Sequence, residues 1–159
     1  MKRAAASVLL ALALLAVRPS TAFADVTGFF GLATSPTTRP ARGFAFGINL
    51  LIVGFEFEYG RTSEDAVKAA PDVQTYMFNG MLMTPTGDTS LYVTAGGGMF
   101  RERFGETGET NFGTNIGGGL RIGLVGPLRL RFDYRIFNLR GTAKYKTPQR
   151  FYAGVNIAF

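Results

Sequence analysis

The chain has 159 residues, with 17 Lys and Arg against 11 Asp and Glu, and it contains neither cysteine nor histidine. Without cysteine there is no disulfide framework to staple a small exported domain; without histidine most zinc sites, most hydrolase triads and the usual general base are excluded. The net charge of +6 falls once the first 24 residues are set aside, because Lys2, Arg3 and Arg18 leave with no acid and 14 bases then face 11 acids.

Taken in order, the chain begins with the basic Met1-Lys2-Arg3, an apolar run from Ala4 to Val17, and then Ala22-Phe23-Ala24. A basic start, an apolar run too short for a retained membrane helix and an A-x-A site are the parts of a Sec-type signal peptide. Residues 1–24 are therefore expected to be cleaved, leaving residues 25–159 as one domain. A balance of 14 bases to 11 acids, with no basic run and no interleaved aromatic–basic patch, argues against nucleic acid as a partner.

From Asp25 onward no helical period persists. Eight short segments rich in aromatic and β-branched residues are separated by turn chemistry: Val26–Thr34, Gly43–Leu50, Val53–Gly60, Val73–Thr84, Ser90–Arg103, Asn111–Leu124, Leu128–Arg140 and Gln149–Phe159. The links between them alternate. "SPTTRPAR", "RTSEDAVKAAPD", "FGETGET" and "GTAKYKTP" are long and polar, whereas Leu51-Ile52, "PTGD" and "VGP" are short. In an up-and-down meander, alternate links share one end of the sheet, and long loops at one end with tight turns at the other are what outer-membrane barrels show.

Within the segments every second residue is large and apolar. In Leu128–Ile136, Leu128, Leu130, Phe132, Tyr134 and Ile136 alternate with Arg129, Arg131, Asp133 and Arg135; in Val53–Tyr59, Val53, Phe55, Phe57 and Tyr59 alternate with Gly54, Glu56 and Glu58. Such a period of two puts charges on one face and bulky apolar groups on the other. A soluble barrel of the lipocalin kind would bury the apolar face; a membrane barrel reverses it, with lipid outside and charge in the lumen. Eight strands enclose only enough room for side chains or one small ligand, and so many large rings would crowd it, which favours the reversed arrangement. The expected fold is thus all-β, an eight-stranded antiparallel up-and-down transmembrane β-barrel. Strands three and seven lie on opposite walls, so Glu56 and Glu58 are expected to meet Arg129 and Arg131 across the lumen. Asp133 and Arg135 complete the charge network, since buried ions need partners.

The chain's end, "RFYAGVNIAF", places Phe151, Val155, Ile157 and the terminal Phe159 on one face. With this ending, the A-F-A site and the eight alternating segments, the chain resembles the small OmpA/OmpX-like outer-membrane β-barrel proteins. The resemblance implies an outer-membrane location in a Gram-negative-type cell. It also implies insertion by the barrel-assembly machinery, with Phe151, Val155, Ile157 and Phe159 as the assembly signal. The chain departs from the OmpA pattern in having short loops and no room for a peptidoglycan-binding domain.

Other features are weaker guides. Two glycine triplets, Gly96–Gly98 and Gly117–Gly119, lie on consecutive segments and are expected to face one another if the hairpin turns at Glu106 and Thr107. They would form a groove or, more simply, make room for bulky lumenal rings. Arg101, Arg103, Arg140, Lys144, Lys146 and Arg150 gather near the long-loop end, with Arg39 and Arg42 in the first link, as candidate contacts for the phosphates of lipopolysaccharide and other outer-membrane lipids. No catalytic, metal or cofactor constellation is visible and none is expected. The reading is a monomeric, non-enzymatic barrel with a structural or surface-interaction role. The alternatives are a narrow small-solute channel and a soluble periplasmic lipocalin-like barrel.

Overall fold

In the computed structural model, which describes residues 22–84 and 89–159, eight antiparallel strands close on themselves in chain order. They are β1 (Ala22–Thr34), β2 (Thr38–Leu50), β3 (Val53–Thr62), β4 (Asp72–Met83), β5 (Thr89–Phe104), β6 (Thr107–Val125), β7 (Leu128–Leu139) and β8 (Gln149–Ala158). Each pairs with its neighbours in sequence, and β1 pairs with β8 to shut the barrel. Closure removes the sheet edges, the condition for a backbone that faces hydrocarbon. At its base the two ends of the wall are tied by reciprocal bonds, Ala24 N–H to the Phe159 carbonyl at 3.0 Å and Phe159 N–H to the Ala24 carbonyl at 2.9 Å.

Several strands run further than the alternating pattern predicts. β1 begins at Ala22, so Ala22–Ala24 form its first three residues; the rest of the expected signal peptide, residues 1–21, lies outside the described residues, as does the "PTGD" turn. The first and fifth links, expected to be long loops, are largely strand. The β1–β2 ladder continues to Thr34↔Thr38 and the β5–β6 ladder to Phe104↔Thr107. Polarity in these stretches reports contact with water and not loss of pairing, because the ladder joins backbone groups whatever the side chains are. True excursions remain at residues 63–71, where Asp65 and Ala70 exchange two bonds of 2.9 Å, and at residues 140–148.

The faces sort by parity. Phe55, Phe57, Tyr134, Ile136, Phe151 and Val155 point outward and are exposed, whereas Glu56, Glu58, Arg131, Asp133, Arg135 and Arg150 are buried. This reverses the inside-apolar plan of a soluble lipocalin-like barrel. Near the longer-link end the lumen changes character: Met77, Phe100, Phe137 and Leu139, with Ala143 from the last link, form an apolar layer above the charges.

The glycine triplets do not face one another. The hairpin turns at Gly105 and Glu106, the former with φ +59°, so Gly97 pairs with Thr114 and Gly118 with Val93. The turn lies earlier in the chain than expected, and the whole register shifts with it. Gly119 faces inward, where space demands a glycine: a Cβ there would lie 2.2 Å from the Phe132 carbonyl oxygen and 2.3 Å from the Tyr92 hydroxyl. The outward Gly118 borders an apolar groove of about 880 Å³ on the outer wall, among Leu82, Leu91, Val93, Leu120 and Phe132.

Candidate functional site

The most ordered chemistry in the molecule is inside the wall. The inward positions of β1, β3, β6, β7 and β8 carry Asp25, Glu56, Glu58, Arg121, Arg131, Asp133, Arg135 and Arg150, all buried. Four carboxylates thus meet four guanidinium groups. Their ion pairs run without a break along the lumen. Arg121 Nη1 meets Asp25 Oδ2 at 3.0 Å and its Nη2 lies 3.9 Å from Glu56. Glu56 takes Arg131 on both oxygens and shares Oε1 with Arg135 at 2.7 Å. Asp133 bridges the same two arginines at 3.0 and 2.8 Å. Arg135 reaches on to Glu58 at 3.1 Å, and Glu58 pairs with Arg150.

Neutral groups complete the shell. The Tyr92 hydroxyl donates to Asp133 at 2.5 Å and accepts from Arg131 Nε at 2.8 Å; the Tyr152 hydroxyl donates to Glu58 at 3.1 Å; Asn49 donates to Asp25 at 2.5 Å. The Arg150 guanidinium also lies over the Phe137 ring, 4.7 Å from its centroid, where the charged ladder meets the apolar layer. Removing ions from water costs several kcal/mol each, and partners on several sides are what make such burial tolerable.

Of the residues expected in this network, the structure brings together Glu56, Glu58, Arg131, Asp133 and Arg135. Arg129, expected opposite Glu56, is only half-buried near the tight-turn end and makes no ion pair among the described residues. Sequence reasoning placed it by strand and face, but height along the barrel is set by the register around the closed sheet. Arg150, expected at the rim as a lipid contact, is buried against Glu58, since it shares the inward parity of Tyr152 and Asn156. Asp25, Arg121, Tyr92 and Tyr152 were missed, although the alternation of their strands offered the same signal.

At the longer-link end Arg101, Arg103, Arg140, Lys144 and Lys146 are exposed. Lys144 Nζ donates to the Ala69 carbonyl at 2.6 Å, so one of these cations ties two links together. Arg39, expected to join them, is buried instead, its guanidinium donating to the Pro71, Ser63 and Ser35 carbonyls at 2.5, 3.0 and 3.3 Å. Burial lowers its pKa, against the pull of the nearby Asp65 and Asp72 carboxylates. At the mouth, burial pushes the Glu102 carboxyl up, opposed by the Lys144 backbone N–H. Phe151, Val155, Ile157 and Phe159 all project outward from the last strand. Among the described residues no cluster of acids could hold a metal ion.

The closed eight-stranded wall matches solved structures in fold. Neisserial surface protein A is similar over 87% of this chain and 97% of its own, at 16% identity and a TM-score of 0.69. The chain has the fold of small outer-membrane barrels. The N-terminal barrel domain of Pseudomonas aeruginosa OprF gives a TM-score of 0.66 at 15% identity, over 87% of this chain and all of the OprF domain chain (100%). The outer-membrane enzyme PagL shares the fold too, with a TM-score of 0.50 at 12% identity over 84% of this chain and 98% of its own, so the architecture alone does not separate enzyme from non-enzyme. In sequence, the barrel matches no family model and no curated protein.

Proposed function

We propose that this chain is an exported, non-enzymatic barrel of the outer membrane, monomeric, whose lumen is a structural core and whose work is done on its outer surfaces, in membrane integrity, lipid packing or surface contact. The observation that carries this reading is the unbroken run of ion pairs from Asp25 to Arg150, capped by the apolar layer of Met77, Phe100, Phe137 and Leu139. Among the described residues, this filling pairs every lumenal carboxylate of the ladder with a guanidinium group, which argues against a wide conduit. The absence of histidine points the same way for the enzymes that depend on it. Export uses residues 1–24 as a signal, and insertion by the barrel-assembly machinery uses the outward face of the last strand. Outer-membrane lipids, lipopolysaccharide among them, are the partners that surround the wall.

Heat-modifiability on washed membranes tests the location. The folded barrel is expected in the outer-membrane fraction, resistant to cold detergent, with a mobility shift on boiling. Recovery in the soluble periplasmic fraction with no shift would overturn the reading. The intact mass of the recovered protein reports whether cleavage precedes Asp25.

A further inference from the structure

Resting on that membrane reading, we propose that Arg42 and Arg61 form a site for the phosphate of a membrane lipid on the outer wall between β2 and β3. The register sets these two residues directly opposite one another, and both are exposed. Like charges in that position destabilise a strand pair. One carboxylate relieves them in part: Arg61 Nε donates to Asp72 at 2.7 Å. That contact occupies one edge of the Arg61 guanidinium and leaves its Nη groups, while Arg42 has no ion pair among the described residues. The pair therefore keeps a net positive charge and a set of donors suited to a phosphate, which guanidinium groups bind through paired N–H bonds.

What lies beneath the arginines names the ligand. Arg42, Arg61, Phe44 and Tyr59 border a cavity of about 310 Å³. Phe44 and Tyr59 are the next outward pair, with ring centroids 5.3 Å apart, and Tyr76 extends the row at 5.1 Å from Tyr59. Tyrosines at this height mark the boundary between headgroups and hydrocarbon. Below them the same two strands present Phe46 opposite Phe57 and Ile48 opposite Phe55, all more than 40% exposed. A ligand seated here meets positive charge at one end and a continuous apolar wall along the rest. Free phosphate would use only the first; a phosphorylated lipid uses both.

Native mass spectrometry of the full chain in detergent micelles, with phosphatidic acid and diacylglycerol of the same acyl chains offered together, tests the site. Phosphatidic acid is expected to be retained preferentially, and Arg42→Gln with Arg61→Gln to weaken it about tenfold, the equivalent of ~1.4 kcal/mol. Folding of the variant is followed by its heat shift, and Arg42→Lys with Arg61→Lys supplies a variant that keeps the charge and should retain much of the selectivity. Equal retention of both lipids, or of phosphatidic acid by the Gln variant, would overturn the site. Displacement by inorganic phosphate at equal concentration would assign it to free phosphate and overturn the lipid. Selectivity in a chain recovered from the soluble fraction would leave this site standing while the proposed location fails.

Discussion

Glu56→Gln is the sharpest probe of the lumenal ladder. Glutamine keeps the shape of the side chain and removes only its charge. Glu56 is 1% exposed, and its carboxylate serves Arg131 through both oxygens and Arg135 at 2.7 Å, with Arg121 at 3.9 Å. The substitution leaves the ladder with three carboxylates for its four guanidinium groups, and the amide NH₂ turns a donor toward donors. Breaking a buried ion pair by removing one partner costs about 3–5 kcal/mol. An exposed control, Glu106→Gln, should change stability by no more than ~0.5 kcal/mol. The assay is equilibrium urea unfolding of the barrel folded into lipid vesicles, read by the mobility shift of the folded form. A loss within about 1 kcal/mol of the control would refute the ladder as a mutually dependent unit. A double-mutant cycle with Arg131→Met sharpens the result: deleting both charges together should cost less than the two single losses combined, because the second deletion removes a charge that has already lost one of its partners.

Three further outcomes are expected. In a planar bilayer the purified barrel should show no discrete conductance steps, and regular steps would mean that the ladder and its apolar cap open. Gly119→Ala should destabilise by about 1–3 kcal/mol, as overpacking of a filled interior does, because its Cβ would strike the Tyr92 hydroxyl and the Phe132 carbonyl. Gly28→Ala, whose Cβ would meet nothing within 4 Å, should be near neutral, and equal losses at the two sites would sink the crowding explanation. Deleting Phe159 removes an outward ring at the end of the last strand; the amount of heat-shifting protein in the membrane should fall, and normal assembly would leave the C-terminal signal unsupported.

Much of this was legible in the sequence, and for one physical reason: a strand's side chains alternate, so parity alone assigns each residue to the wet or the oily side of a wall. Glu56, Glu58, Arg131, Asp133 and Arg135 were assigned to the lumen in this way, and the count of eight followed from the turns. Where parity yielded to proximity, the reading erred: Arg150 was placed at the rim for its nearness to a loop, although its alternation with Phe151 already put it inside. Polar composition likewise hid strand in the first and fifth links, since a ladder of backbone bonds does not require apolar side chains. Height along the barrel was decided only by the closed sheet. Glu56 meets Arg131, Arg135 and Arg121 rather than Arg129 because each hairpin sets a register, each register displaces the next strand, and only closure of β1 on β8 fixes their sum. The meeting of Arg42 with Arg61 over the tyrosine row, and of Met77 with Phe137 above the charges, has the same origin: alternation assigns a side chain to its face, and the closed set of registers assigns it a neighbour.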